Sequence, residues 1–275
     1  MTSIPNTSTI SPVEIFLIII FAVLGLAVGS FLNVCIDRLP QNESIALPPS
    51  HCEACQHKLA AKDLIPVFSY LRLRGHCRYC QAAVHRRLFW VELATGAIFA
   101  FLYWWCVVFD QELGIIAFGV LAFYACLFII IFVIDLEQGL ILNKVVYPSM
   151  VVALLLSLYP LPWLTHSAGM RVAYAALGRG IGFGIFLLIA LISRGGMGWG
   201  DVKLAGLIGL ATGFPLVFLS IIMAAVLGGI VAVAMVIARK KGRRQTIPFG
   251  PFLAVAAMIT LLWGSNIMNW YLGLM

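Results

Sequence analysis

LAGLIGLATGFPLVFLSIIMAAVLGGIVAVAMVIA, Leu204 to Ala238, runs for 35 residues without a charge. As one α-helix it would be about 52 Å long, against about 30 Å for the hydrocarbon core of a bilayer. The TGFP at Thr212–Pro215 offers a break, because glycine and proline punctuate helices. The stretch therefore reads as two membrane spans, the first unusually short. Further apolar runs lie at about 13–35, 88–109, 115–134, 140–160, 172–193 and 252–272. The expected fold is an all-α polytopic membrane protein with about eight transmembrane helices.

Composition agrees. The 275 residues are 62% hydrophobic and only 11% charged, where soluble domains carry about a quarter charged residues. The net charge of +7 is no sign of a nucleic-acid partner, since basic residues of membrane proteins collect in cytoplasmic loops. Lipid is the expected surrounding. The leading MTSIPNTSTISPVE has no Lys or Arg, unlike the basic start of a secretory signal, so the run from Val13 to about Cys35 reads as a retained first span.

The polar segment 36–87 holds eight of the eighteen basic residues, and RKKGRR follows at Arg239–Arg244. Both should be cytoplasmic. Six spans separate them, an even number, so they fall on one side. The acidic loop Asp110–Gly114 falls on the other. Both termini then face outward. Asp135, closing the third span in FIIIFVIDLEQG, and Asp201, opening the short sixth in RGGMGWGDVKL, share the cytoplasmic face.

Carboxylates at the membrane core are functional-site candidates by default. Two held close share a proton, so the ionised one can activate a water while the protonated one polarises a scissile carbonyl. The glycines of GGMGWGD would admit close approach and unusual φ values. The plainer reading, two aspartates ending spans at the interface, weighs about evenly on spacing alone.

HCEACQHKLAAKDLIPVFSYLRLRGHCRYC contains Cys52-x-x-Cys55 and Cys77-x-x-Cys80, separated by 21 residues. Two such pairs are the signature of a tetrahedral structural zinc site. A cytoplasmic setting argues against stable disulfides, and four thiolates leave no open position for catalysis. The metal would staple a segment too small for a good core. Cys35, Cys106 and Cys126 lie in apolar runs and read as packing residues.

Together these motifs resemble the bacterial type IV prepilin peptidases, the leader peptidase/N-methyltransferases. GSFLNVCIDRLP (Gly29–Pro40), DLIPVFSYLRLRGHCRYC (Asp63–Cys80) and IPFGPFLA (Ile247–Ala254) carry the likeness in the right order. The family is a membrane aspartic protease of the GxGD kind, which matches Gly198-Trp199-Gly200-Asp201. Its first aspartate matches Ile134-Asp135, followed here by Leu142-Asn143 without the usual proline. VHRRLFWVE (Val84–Glu92) also departs from the family pattern.

The resemblance implies catalytic Asp135 and Asp201, and a zinc held by Cys52, Cys55, Cys77 and Cys80. It implies prepilin or type II secretion pseudopilin substrates, cut after a glycine at the cytoplasmic face of the bacterial inner membrane. The new N-terminus would then be methylated with S-adenosylmethionine, at a site no motif locates. The domains expected are the outward N-terminus and first helix (1–35), the zinc segment (36–87) and a seven-helix protease core (88–275). Glu92 reads as facing methylation or as an ordinary span end, and Lys203 as steering Asp201 or as an interfacial base. Two other classes compete. A proton-coupled transporter would use intramembrane carboxylates but predicts an inverted repeat absent from the motif order. A scaffold carrying a zinc module leaves Asp135 unexplained.

Overall fold

The computed structural model describes residues 11–110, 113–159, 167–193, 196–238 and 248–273. RKKGRR lies outside them, as do the start of RGGMGWGDVKL and Ile247 of IPFGPFLA. The helices in chain order are α1 Pro12–Arg38, the short α2 Phe68–Arg72, α3 Arg86–Tyr103 continuing through a π-helical turn to Phe109, and α4 Gly114–Gln138. Then follow α5 Asn143–Leu156, α6 Ala168–Ile192, α7 Trp199–Thr212, α8 Leu216–Ile237 and α9 Gly250–Gly273. No strand occurs among the described residues. Each expected apolar run is a helix to within a few residues.

Six of these helices are long and apolar enough to cross a membrane. α5 and α7 have 14 residues each, about 21 Å of helix. The TGFP break is real: α7 stops at Gly213, whose φ of 73° is open to glycine at no steric cost, and α8 starts at Leu216. On α8, Ile222, Val226, Ile230 and Val233 are each more than half exposed. Such an apolar stripe belongs against lipid, while the helical backbone satisfies its own hydrogen bonds.

Two compact units meet within α4, one ending at Cys126 and one beginning at Leu127. In the first, α1 lies against α3. Ser11 and Glu14 close a reciprocal capping box at its start, satisfying two otherwise orphan amides. Gly25 and Gly29, one helical turn apart, let the backbones touch: a Cβ on Gly29 would stand 2.8 Å from the Glu92 Cα. Phe21 stacks on Tyr103 at 4.2 Å between ring centroids, with Phe118 edge-on to both.

In the second unit α7 is the core. Val202 and every residue from Leu204 to Thr212 are buried, enclosed by α5, α6, α8 and α9. A helix apolar on every side is a helix buried on every side. Small residues seat it on α6: a Cβ on Gly178 would collide with the Gly209 carbonyl, and one on Gly182 with the Ala205 carbonyl. Close backbone approach of this kind is how membrane helices gain packing energy. Gly178→Val should therefore cost about 1–3 kcal/mol through overpacking, read as a lower thermal unfolding midpoint in detergent. Gly180→Val, whose Cβ meets nothing within 4 Å, should leave it unchanged.

Candidate functional site

Asp135 lies in the last turn of α4. Its carbonyl accepts the Gly139 amide at 2.9 Å, and Gly139 takes a φ of 65°, a common glycine helix stop. The chain then turns through Leu140–Leu142 into α5. Asp135 is only 5% exposed, and its Oδ2 is buried without a hydrogen-bond partner among the described residues. A Cβ on Gly250 would stand 2.5 Å from that oxygen. The start of α9 thus presses onto the carboxylate, and a helix start carries the partial positive charge that favours an anion.

Asp201 sits in the first turn of α7, behind the N-cap Gly198. Ile141 links the two aspartates' surroundings: a Cβ on Gly200 would stand 2.8 Å from the Ile141 Cβ, and one on Gly250 3.3 Å from its Cδ1. Asp135, Asp201 and Gly250 therefore share one end of this unit. The chain leaves that end through α5 and returns through α6, then leaves through α7 and returns through α8. The two short helices, α5 and α7, both begin at that end.

The glycines of GGMGWGD need correction. None of Gly196, Gly198 and Gly200 has a positive φ, so conformational freedom is not their role. Gly200 is required for space against Ile141. A Cβ on Gly198 would stand 3.4 Å from the Asp201 Oδ2, an ordinary contact. Gly200→Ala is expected to shift the start of α7 and lower activity on the order of 100-fold, the cost of a displacement near 1 Å at a reacting centre. Gly198→Ala should have a much smaller effect; cleavage assays of the two variants side by side make the comparison.

Sequence reasoning missed Gly250 and Ile141, which no local pattern ties to the aspartates. Lys203 is engaged by α5. Its Nζ donates to Asn143 Oδ1 at 2.9 Å and lies 5.5 Å from the Tyr147 ring centre. Asn143, the position after the missing proline, thereby ties α5 to α7.

The four cysteines of the first polar segment converge. Their Sγ atoms all lie within 4.8 Å of one another, with Cys52 and Cys80 at 3.8 Å. Thiolates 2.3 Å from a central zinc stand about 3.8 Å apart, so the donor set fits a tetrahedral metal. The segment is built from two matching turns, HCEACQ and HCRYCQ. In each, the first cysteine's amide bonds a carbonyl five residues on, its carbonyl accepts the glutamine amide, and that glutamine has a φ near 60°. Antiparallel bridges His51–Lys58 and His76–Ala83 flank them. The repeat is written in the sequence itself.

The turns are joined by the His57–Tyr79 ring contact at 3.8 Å and by Asp63. Asp63 accepts from Arg78 Nε at 2.6 Å, the Tyr79 hydroxyl at 3.0 Å and the Ala60 amide at 3.2 Å. Burial opposes its charge, but these bonds outweigh it and hold the carboxyl below its ordinary value. The sign follows: a depressed folded-state pKa adds stability at neutral pH that is lost as pH falls through that value.

The structure defines a class, that of multi-pass membrane proteins with a buried and a half-buried aspartate at one end of a helical unit and a four-thiol centre in a polar segment. Comparison narrows it. Residues 23–106 match the Bacterial Peptidase A24 N-terminal domain, and 121–233 match the Type IV leader peptidase family. The chain is 32% identical to the prepilin leader peptidase/N-methyltransferase of Stutzerimonas stutzeri, covering 91% of this chain and 92% of that one. It is 31% identical to that of Pseudomonas aeruginosa, over 90% and 91%, and 29% to that of Bacillus subtilis, over 92% and 97%. No solved structure matches it. The chain belongs to the type IV leader peptidase family.

Proposed function

We propose that this protein is a bifunctional prepilin peptidase of the bacterial inner membrane. It cleaves the basic leader of type IV prepilins or type II secretion pseudopilins after glycine, at the cytoplasmic face, and then methylates the new N-terminal residue. The observation that supports the proteolytic half is that the surroundings of Asp135 and Asp201 meet on Ile141 at one end of the second unit. One carboxylate, ionised, takes a proton from a water as it attacks the scissile carbonyl. The other, protonated, donates to the carbonyl oxygen and later passes the proton to the leaving amine. Exclusion of bulk water strengthens both effects.

Cys52, Cys55, Cys77 and Cys80 hold a structural zinc, and the segment 36–87 is its module. S-adenosylmethionine supplies the methyl group. The eight basic residues of that segment set it, and the carboxylate end of the second unit, on the cytoplasmic side. Incubation of purified protein with a model prepilin and S-adenosylmethionine tests the reading. The product should begin immediately after the leader glycine and be heavier by one methyl group in mass spectrometry. An uncut substrate, together with proton flux in vesicles carrying the protein, would favour a transporter instead.

A further inference from the structure

The aspartates account for cleavage and leave the second activity in the relatives' names without a site. The first unit contains a cavity of about 610 Å³ where the end of α1, the start of α3 and the segment between them meet. That size falls within the range of small-molecule sites. Among its walls are Asn33, Asp37, Tyr70, Arg87, Phe89 and Glu92.

Two of these groups offer acceptor oxygens from buried positions. Asn33 is 3% exposed. Its Nδ2 donates to the Leu88 carbonyl at 3.0 Å, while its Oδ1 is buried with no partner. Buried polar atoms are nearly always satisfied, so an orphan asks for a ligand. Glu92 is 8% exposed, and its Oε2 accepts the Val67 amide at 2.7 Å. That amide belongs to a β-branched residue at a φ of 61°, a costly conformation that such residues rarely adopt. Strain of this kind collects where function requires it. Arg87 is held by Asp37 at 2.5 Å, which draws its charge away from the acceptors. Also in its walls, Tyr70 and Phe89 pair at 5.3 Å between ring centres.

An orphan amide oxygen and a buried carboxylate suit a cation, and two aromatic faces suit a planar base. We infer that this cavity is the methyl-transfer site. It takes the α-ammonium of the cleaved substrate against Asn33 Oδ1 and Glu92, and the nucleoside of a sulfonium methyl donor against Tyr70 and Phe89. The inference rests on the N-methyltransferase reading above. Glu92 removes one proton from the α-ammonium. The freed nitrogen lone pair attacks the methyl carbon of the donor, forming the N–C bond as the C–S bond breaks. The sulfur leaves as a neutral thioether, and the positive charge passes to nitrogen.

The test uses full-length, zinc-loaded protein in nanodiscs, S-adenosylhomocysteine as binding probe, and a pre-cleaved pilin peptide as methyl acceptor. Tyr70→Ala should weaken S-adenosylhomocysteine binding, read by calorimetry, about tenfold or more, the usual loss of one base-stacking face. Glu92→Gln keeps an amide oxygen for the Val67 amide but cannot take a proton. It should bind the probe normally and methylate roughly 100-fold or more slowly. Its residual rate should climb as pH passes the free amine's own pKa, about 8, a dependence that a purely structural glutamate would not produce. Bound zinc reports that each variant is folded. Wild-type binding in Tyr70→Ala together with wild-type methylation in Glu92→Gln overturns the inference. If the wild-type protein itself neither binds the probe nor methylates, the N-methyltransferase reading fails first.

Discussion

Asp135→Asn and Asp201→Asn are each expected to lower prepilin cleavage by roughly 10²–10⁴-fold, the range lost when a positioned acid or base is removed. Asparagine keeps the size and loses the proton chemistry. The two substitutions should not destabilise the fold. Asp135 buries an oxygen with no partner and shares one end of the unit with Asp201, and two carboxylates held close oppose each other's ionisation. A neutral amide relieves that opposition. Thermal midpoints in detergent should hold or rise while activity disappears, the pattern expected where a site has been kept at the expense of stability. The cleavage rate of the wild type should also fall on both sides of a pH maximum, with two apparent pKa values that belong to the pair and to neither residue. Near wild-type cleavage by either variant would sink the dyad.

What could be read beforehand divides by range. The helices were legible because each needs only its own apolar run, and α7 and α8 could be separated because Gly213 and Pro215 are local signals. The convergence of the four cysteines was legible because zinc ligands obey a spacing rule. The apposition of Gly250 to Asp135 was not. It spans more than a hundred residues, and nothing in PFGPF says which carboxylate it will meet. The role of Gly200 was half legible: close approach was expected, but its partner, Ile141, lies in another connection. Lys203 shows the same limit. Its bond to Asn143 joins two motifs that sequence alone could only set side by side.

Loss of the metal should affect one segment more than loss of any single side chain. Purified protein should carry one zinc per chain, and Cys77→Ser should lose it. Cys77 is the most buried of the four, so the lost thiolate has no substitute from solvent. Between α1 and α3 the described chain has a five-residue helix, one 3₁₀ turn and two isolated bridges. Ordering such a segment costs about 1–2 kcal/mol per residue in backbone entropy, and it has little apolar burial to oppose that. Structural zinc supplies about 10–16 kcal/mol in small metallo-domains. Without it the segment should unfold and become sensitive to protease, while the helices keep their far-UV signal, because lipid and helix packing hold them independently. The consequences for the two activities should then diverge. Tyr70 belongs to this segment, while Asp135, Asp201, Gly200 and Gly250 all belong to the second unit. Methylation should be lost with the metal and cleavage should fall far less. Equal loss of both would mean that the segment also presents the leader to the aspartates, and the two reactions would have to be drawn as sharing one substrate-binding surface.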